Sequence, residues 1–118
     1  MPFVEIQTNL PSSAVSEDFM KALSACVAAA LGKPEQRMHL VVNTGLQMLT
    51  GGSCSPCVIV SVGAIGVTDS ADQNKQHSAK IFDFLTKELG LSKDRIAIRF
   101  LSVQPHQVGK QGTVLSFL

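Results

Sequence analysis

Pro2 stands directly after Met1, and that adjacency has a chemical consequence. An initiator methionine is trimmed when the next residue is small, which would leave Pro2 as a free secondary amine. An α-amino group titrates near ~8, and an apolar pocket lowers that value by disfavouring the cation. Pro2 could then act as a neutral base at cell pH and, once protonated, as an acid. The plainer alternative is that Pro2 merely begins the chain. Two cations belong beside it in the chemical inventory. Lys33 follows a helix end and precedes Pro34, where an ammonium complements the helix dipole; facing the Pro2 pocket, it would lower the amine's pKa and bind a substrate carboxylate. Arg99 alternates with Ile98 and Phe100, so it is either an exposed strand arginine or a guanidinium placed to grip a carboxylate through two bonds.

Other side chains argue against other chemistries. Cys54-Ser55-Pro56-Cys57 has dithiol spacing but precedes a strand, and no helix N-terminus is expected there to lower a thiol pKa. Cys26 lies on an apolar stripe and reads as packing. His39, His77 and His106 lack ligand spacing, so no metal site is expected. No glycine-rich phosphate fingerprint is present.

These residues need a scaffold, and 118 residues with 45% hydrophobic and 16% charged side chains suit one globular domain, 1–118. A net charge of +1, no Trp and no Tyr make nucleic acid a poor partner. No apolar run approaches the ~20 residues of a membrane span, and no secretory leader precedes the first strand, so a cytoplasmic home is expected. Three cysteines, an odd count, agree with a reducing compartment. Action outside cells would require export without a signal peptide.

Phe3, Val4, Ile6 and Thr8 read as a short strand that ties the terminus down. Ser12 and Ser13 offer N-cap oxygens for a helix whose stripe is Val15, Phe19, Leu23, Val27 and Leu31, closed by Gly32 and Pro34. Residues 38–42 form a second strand. Residues 45–56 read as a loop, and 57–62 as a third strand apolar on both faces. Ser70 and Gln73 fit a capping box ahead of a second stripe, Ile81, Phe82, Leu85 and Leu89, ended by Gly90; residues 95–101 are a fourth strand. At an offset of 58, Leu23 falls on Ile81, Val27 on Leu85, Leu31 on Leu89, Gly32 on Gly90 and Arg37 on Arg95. This is a duplication with pseudo-repeats at about 2–44 and 57–101. The expected fold class is α/β in the α+β sense: two β-α-β units in a split arrangement, giving a four-stranded sheet with both helices on one face. The bare face calls for a protein cover, economically a symmetric oligomer, and the short β-prone pieces of 107–118 are expected to pair with a neighbouring subunit's edge.

The whole chain resembles the macrophage migration inhibitory factor branch of the tautomerase superfamily. Met1-Pro2-Phe3-Val4-Glu5, Thr8-Asn9-Leu10-Pro11, Gly32-Lys33-Pro34, Gly52-Ser53, Pro56-Cys57 and Ile65-Gly66 carry the likeness. Phe84-Leu85-Thr86-Lys87-Glu88-Leu89, Asp94-Arg95-Ile96, Ile98-Arg99-Phe100 and the ending from Gly109-Lys110 to Phe117-Leu118 look like the branch's decarboxylating members. The resemblance implies a homotrimer with an active site at each subunit interface. There Pro2 would be the acid/base, and Lys33, the Ile65 backbone and Arg99 would bind substrate. The implied reaction converts D-dopachrome to 5,6-dihydroxyindole with loss of carbon dioxide and without a cofactor. It also implies an alternative role as a secreted ligand of an invariant-chain cell-surface receptor, with an inherited pocket. Ala97 and Arg99 stand where the inhibitory factor has tyrosine and asparagine, which favours the decarboxylating members. Val60 replaces the second cysteine of the inhibitory factor's redox pair, so that activity does not carry over. Ala64 replaces a serine expected at the pocket wall, which bears on substrate preference, and Gln104-Pro105-His106 replaces an aromatic-containing stretch.

Overall fold

The computed structural model describes residues 1–118. Four strands, β1 (Phe3–Thr8), β2 (His39–Asn43), β3 (Val58–Ala64) and β4 (Ile96–Ser102), form one sheet in the order β2-β1-β3-β4. β1 runs parallel to β2 and β3 parallel to β4, whereas β1 and β3, joining the two units, are antiparallel. Each β-α-β unit therefore keeps its two strands as direct neighbours. The split arrangement expected from the sequence does not form, because each helix returns the chain to the edge beside the strand it left.

α1 (Glu17–Leu31) and α2 (Ala71–Leu89) lie on one face of the sheet. The alternate residues Val4, Ile6, Val58, Val60 and Val62 meet Leu23, Val27, Ile81 and Leu85 in one core. Equivalent positions of the two units share burial and helix closure. Leu23, Ile81, Val27 and Leu85 are all fully buried, and Gly32 and Gly90 close their helices at φ +67° and +66°, in the left-handed region that glycine tolerates best.

At the start of α1 the structure corrects the sequence. Ser16 is the N-cap, its Oγ accepting from the Phe19 N–H at 3.0 Å, while Ser12 and Ser13 belong to a separate 3-10 turn and Val15 lies outside the helix. A second serine three residues downstream competes for the cap, and spacing alone does not choose between them. Ser70 and Gln73 form the capping box of α2 as expected.

The sheet face away from the helices leaves Phe3, Val41 and Leu101 between 42% and 53% exposed around the polar row Glu5, Ser61 and Arg99. In the tail, β5 (Gly109–Lys110) and β6 (Thr113–Val114) pair with each other as an antiparallel hairpin. No helix is long and apolar enough to cross a membrane.

Candidate active site

Pro2 is anchored before β1 begins. Its carbonyl accepts the His39 N–H at 3.0 Å, and the following residue, Phe3, sits in register between His39 and Gly63. The proline itself is fully buried, with Met1 above it at a cleft of about 500 Å³. A chain end held by two neighbouring strands has a fixed address.

Three elements bring cations to that address. The left-handed turn at Gly32 closes α1, and the Lys33 N–H reaches back to the Ala28 carbonyl at 2.9 Å, so the ammonium leaves a rigid helix end. Pro34 starts a 3-10 turn, Glu35–Arg37, that places Arg37 on the same cleft. Lys110 and Gln111 enter from the C-terminal hairpin, and Ile65 comes from the end of β3. Leu115, Leu118 and Pro105 supply apolar wall.

The electrostatics follow from this convergence. The amine of Met1 is held below its ordinary value, first by desolvation and then by the charges of Lys33, Arg37 and Lys110. No Asp or Glu side chain lines the cleft. The ion pairs of the chain, Lys21 with Glu17 and Lys87 with Asp83, are exposed on the helices. Burial and like charge both favour the neutral form, and an amine so placed beside anion-binding side chains can exchange protons with a bound acid.

Of the residues singled out by sequence, Lys33 and Ile65 meet at the terminus and Arg99 does not. Arg99 lies on the bare sheet face, its Nε and Nη2 both donating to Ser61 Oγ at 3.3 Å. The alternation with Ile98 and Phe100 foretold that face, since those two pack against the core. Ala64 is fully buried in the core and contributes no surface to the cleft.

Sequence reasoning missed Arg37, Lys110 and Gln111. The repeat contained a signal for the first. Its counterpart Arg95 donates to the carbonyls of Thr50 (2.7 Å), Ser53 (3.2 Å), Ser55 (2.7 Å) and Pro56 (3.1 Å), locking the loop before β3. Arg37 makes no side-chain hydrogen bond or ion pair and is left for the cleft. Two equivalent arginines, one employed and one free, mark where the duplicated unit diverged.

The dithiol motif is held as structure. Cys57 is fully buried, its N–H donating to Asn9 Oδ1 at 2.9 Å and its carbonyl accepting from Thr8 Oγ1 at 2.8 Å. Cys54 is exposed, and its carbonyl accepts from Asn9 Nδ2 at 2.9 Å. No three His, Cys, Asp or Glu side chains gather in a way that could hold a metal ion.

Comparison with known proteins bears on the fold and the family. The sequence model of the Macrophage migration inhibitory factor (MIF) family matches residues 1–116. The chain is 50% identical over 118 residues to the D-dopachrome decarboxylase of Xenopus tropicalis and 48% identical over 118 residues to that of Bos taurus, covering 100% of each protein and of itself. The solved macrophage migration inhibitory factor of Trichinella spiralis superposes with a TM-score of 0.85 at 32% identity, over 95% of this chain and 98% of that one. With the family model matching residues 1–116 and relatives aligned along nearly the whole length, this chain belongs to the macrophage migration inhibitory factor family.

Proposed function

We propose that the protein is a cofactor-free tautomerase/decarboxylase that converts D-dopachrome to 5,6-dihydroxyindole, with Pro2 as the acid/base after removal of Met1. The observation that carries this reading is the buried start of β1 beside Lys33 and Arg37, where desolvation and like charge lower the terminal amine's pKa. Removal of Met1 moves the free amine one residue inward, about 3.8 Å along the backbone, into the fully buried position of Pro2. Lys33, Arg37 and the Ile65 backbone hold the substrate. In the reaction the bond to the carboxylate breaks and carbon dioxide leaves. The electron pair enters the quinone-imine ring, which becomes a catechol, so no outside oxidant or reductant is consumed. Pro2 exchanges the proton that this rearrangement moves between ring carbon and oxygen.

Arg99 lies on the bare sheet face, so its part in the same reaction requires a neighbouring copy. A homotrimer whose apolar faces meet, burying Phe3, Val41 and Leu101, would bring it to the adjacent subunit's cleft. The protein is placed in the cytoplasm, with export by an unconventional route where it acts outside cells.

Intact mass and D-dopachrome turnover, measured before and after an amine-selective alkylating reagent, test the mechanism. One label on Pro2 of a methionine-free chain, with turnover abolished, is the expected result. Retained methionine, or full turnover after labelling, overturns it. The family name favours a second reading, a secreted ligand of an invariant-chain type receptor. Pro2→Gly separates the two, since a ligand keeps receptor binding when turnover is lost.

A further inference from the structure

Ile65 lines the cleft from the end of β3, and its backbone N–H and carbonyl make no hydrogen bond within the chain. The carbonyls around it are all engaged. That of Ala64 accepts from the Val103 N–H at 3.0 Å and that of Gly66 from Gln73 Nε2 at 3.4 Å. The Val67 carbonyl meets His77 Nε2 at 2.6 Å, and the Thr68 carbonyl accepts from Asn74 Nδ2 at 3.2 Å. Gln73, Asn74 and His77 stand on the first two turns of α2. The helix therefore grips the segment after Ile65 and leaves Ile65 itself free for a ligand.

His77 is the member of this grip with no other task. Gln73 caps the helix, whereas His77 is only 7% exposed, with its ring packed against Phe100 at 6.1 Å between centroids. A carbonyl can only accept, so the hydrogen facing Val67 sits on Nε2. The other ring nitrogen, Nδ1, is buried without a partner. Burying a half-satisfied polar ring at a helix–sheet contact costs free energy that an apolar side chain would avoid, and the one bond it makes goes to Val67.

The place of that bond matters because of the residue between. Gly66, at φ +75°, separates Ile65 from Val67, and glycine moves between backbone states more readily than other residues. The turn does not fix itself there. Whatever holds the Val67 carbonyl also decides where Gly66, and with it the peptide groups of Ile65, come to rest.

We propose that His77 is a positioning residue, which through the Val67 carbonyl fixes the Ile65 backbone at the wall of the cleft. Its effect on substrate rests on reading that cleft as the substrate pocket, and it is indirect, since His77 does not line the cleft.

The test compares His77→Leu and His77→Phe, which delete the donor, with His77→Gln, whose carboxamide nitrogen stands as many bonds from the backbone as Nε2. All are made in the full, methionine-processed chain. Without the donor, KM for D-dopachrome should rise about fivefold, the worth of one net hydrogen bond, with kcat changed less than about twofold because Pro2 is untouched. The backbone amide resonance of Ile65 should shift in the same variants. His77→Gln should restore both, even where urea unfolding shows it as weakened as the other two; a ring that only packed would give no such recovery. Unchanged KM, an unmoved Ile65 resonance, no recovery in His77→Gln, or failure of both donor-free variants to fold overturns the proposal. Parent turnover with KM unchanged in the variants removes this inference alone. A parent without turnover, in which the Ile65 resonance still shifts and recovers, removes the decarboxylase reading alone.

Discussion

Making one substitution at both repeat-equivalent arginines tests whether the duplicated units have divided their labour. Arg95→Ala deletes four hydrogen bonds from a guanidinium to backbone carbonyls that span Thr50 to Pro56. Two of these bonds are exposed and two partly buried, so about 0.5–1 kcal/mol apiece is a fair net value, or about 2–4 kcal/mol in all. For a chain of this size, at about 3–5 °C per kcal/mol, the melting temperature should fall by about 10 °C. Arg37→Ala deletes no hydrogen bond and no ion pair, and it should change stability by less than about 0.5 kcal/mol. It should nevertheless raise KM for D-dopachrome, because a carboxylate anchor is lost. The assays are urea unfolding at one fixed protein concentration, since an oligomer's stability depends on it, and steady-state turnover. Comparable destabilisation by the two variants, or an Arg37→Ala enzyme with unaltered KM, would refute the assignment of one arginine to the loop and the other to the cleft.

The same geometry sets three further outcomes. Burial and the charges of Lys33, Arg37 and Lys110 lower the Met1 amine, and the same causes act on the Pro2 amine once Met1 is removed, so kcat/KM should rise with pH through one ionisation below ~8 and then level off. Lys33→Gln removes a charge that disfavours the protonated amine and should move the inflection to higher pH; a pH–rate profile that shifts down or stays flat contradicts this. Leu85→Ala, at a fully buried position in the core, should cost about 3 kcal/mol in urea unfolding, and a loss below about 1 kcal/mol would mean that the core collapses around the cavity. Ser70→Ala removes the α2 cap, where Ser70 Oγ accepts from the Gln73 N–H at 3.1 Å, and should cost about 1 kcal/mol, with Ser70→Asp retaining most of it.

Much of the scaffold is legible in the chain because its causes are local. The four-residue spacing of Leu23, Val27 and Leu31, the Ser70/Gln73 box, and Gly32 and Gly90 past the helix ends each act within a few residues, and each appears in the structure where the sequence places it. The 58-residue offset is legible for the same reason, since the two halves repeat the same local tasks. The buried address of Pro2 also follows from sequence, as a β-prone run directly behind it cannot leave the terminus free. What the tertiary structure decided is which side chains share a neighbourhood. Arg37 and Arg95 are equivalent by spacing, and only the loop packed against one of them spends its hydrogen bonds. Arg99 is a strand arginine on either reading, and only the strand order shows that its face turns away from the terminal cleft. The tail's pieces are β-prone in any context, and the left-handed turn at Gln111 and Gly112 folds them onto each other, bringing Lys110 to a site begun more than a hundred residues earlier. Local propensity acts over a few bonds, whereas the field at an amine sums charges from wherever the fold happens to bring them.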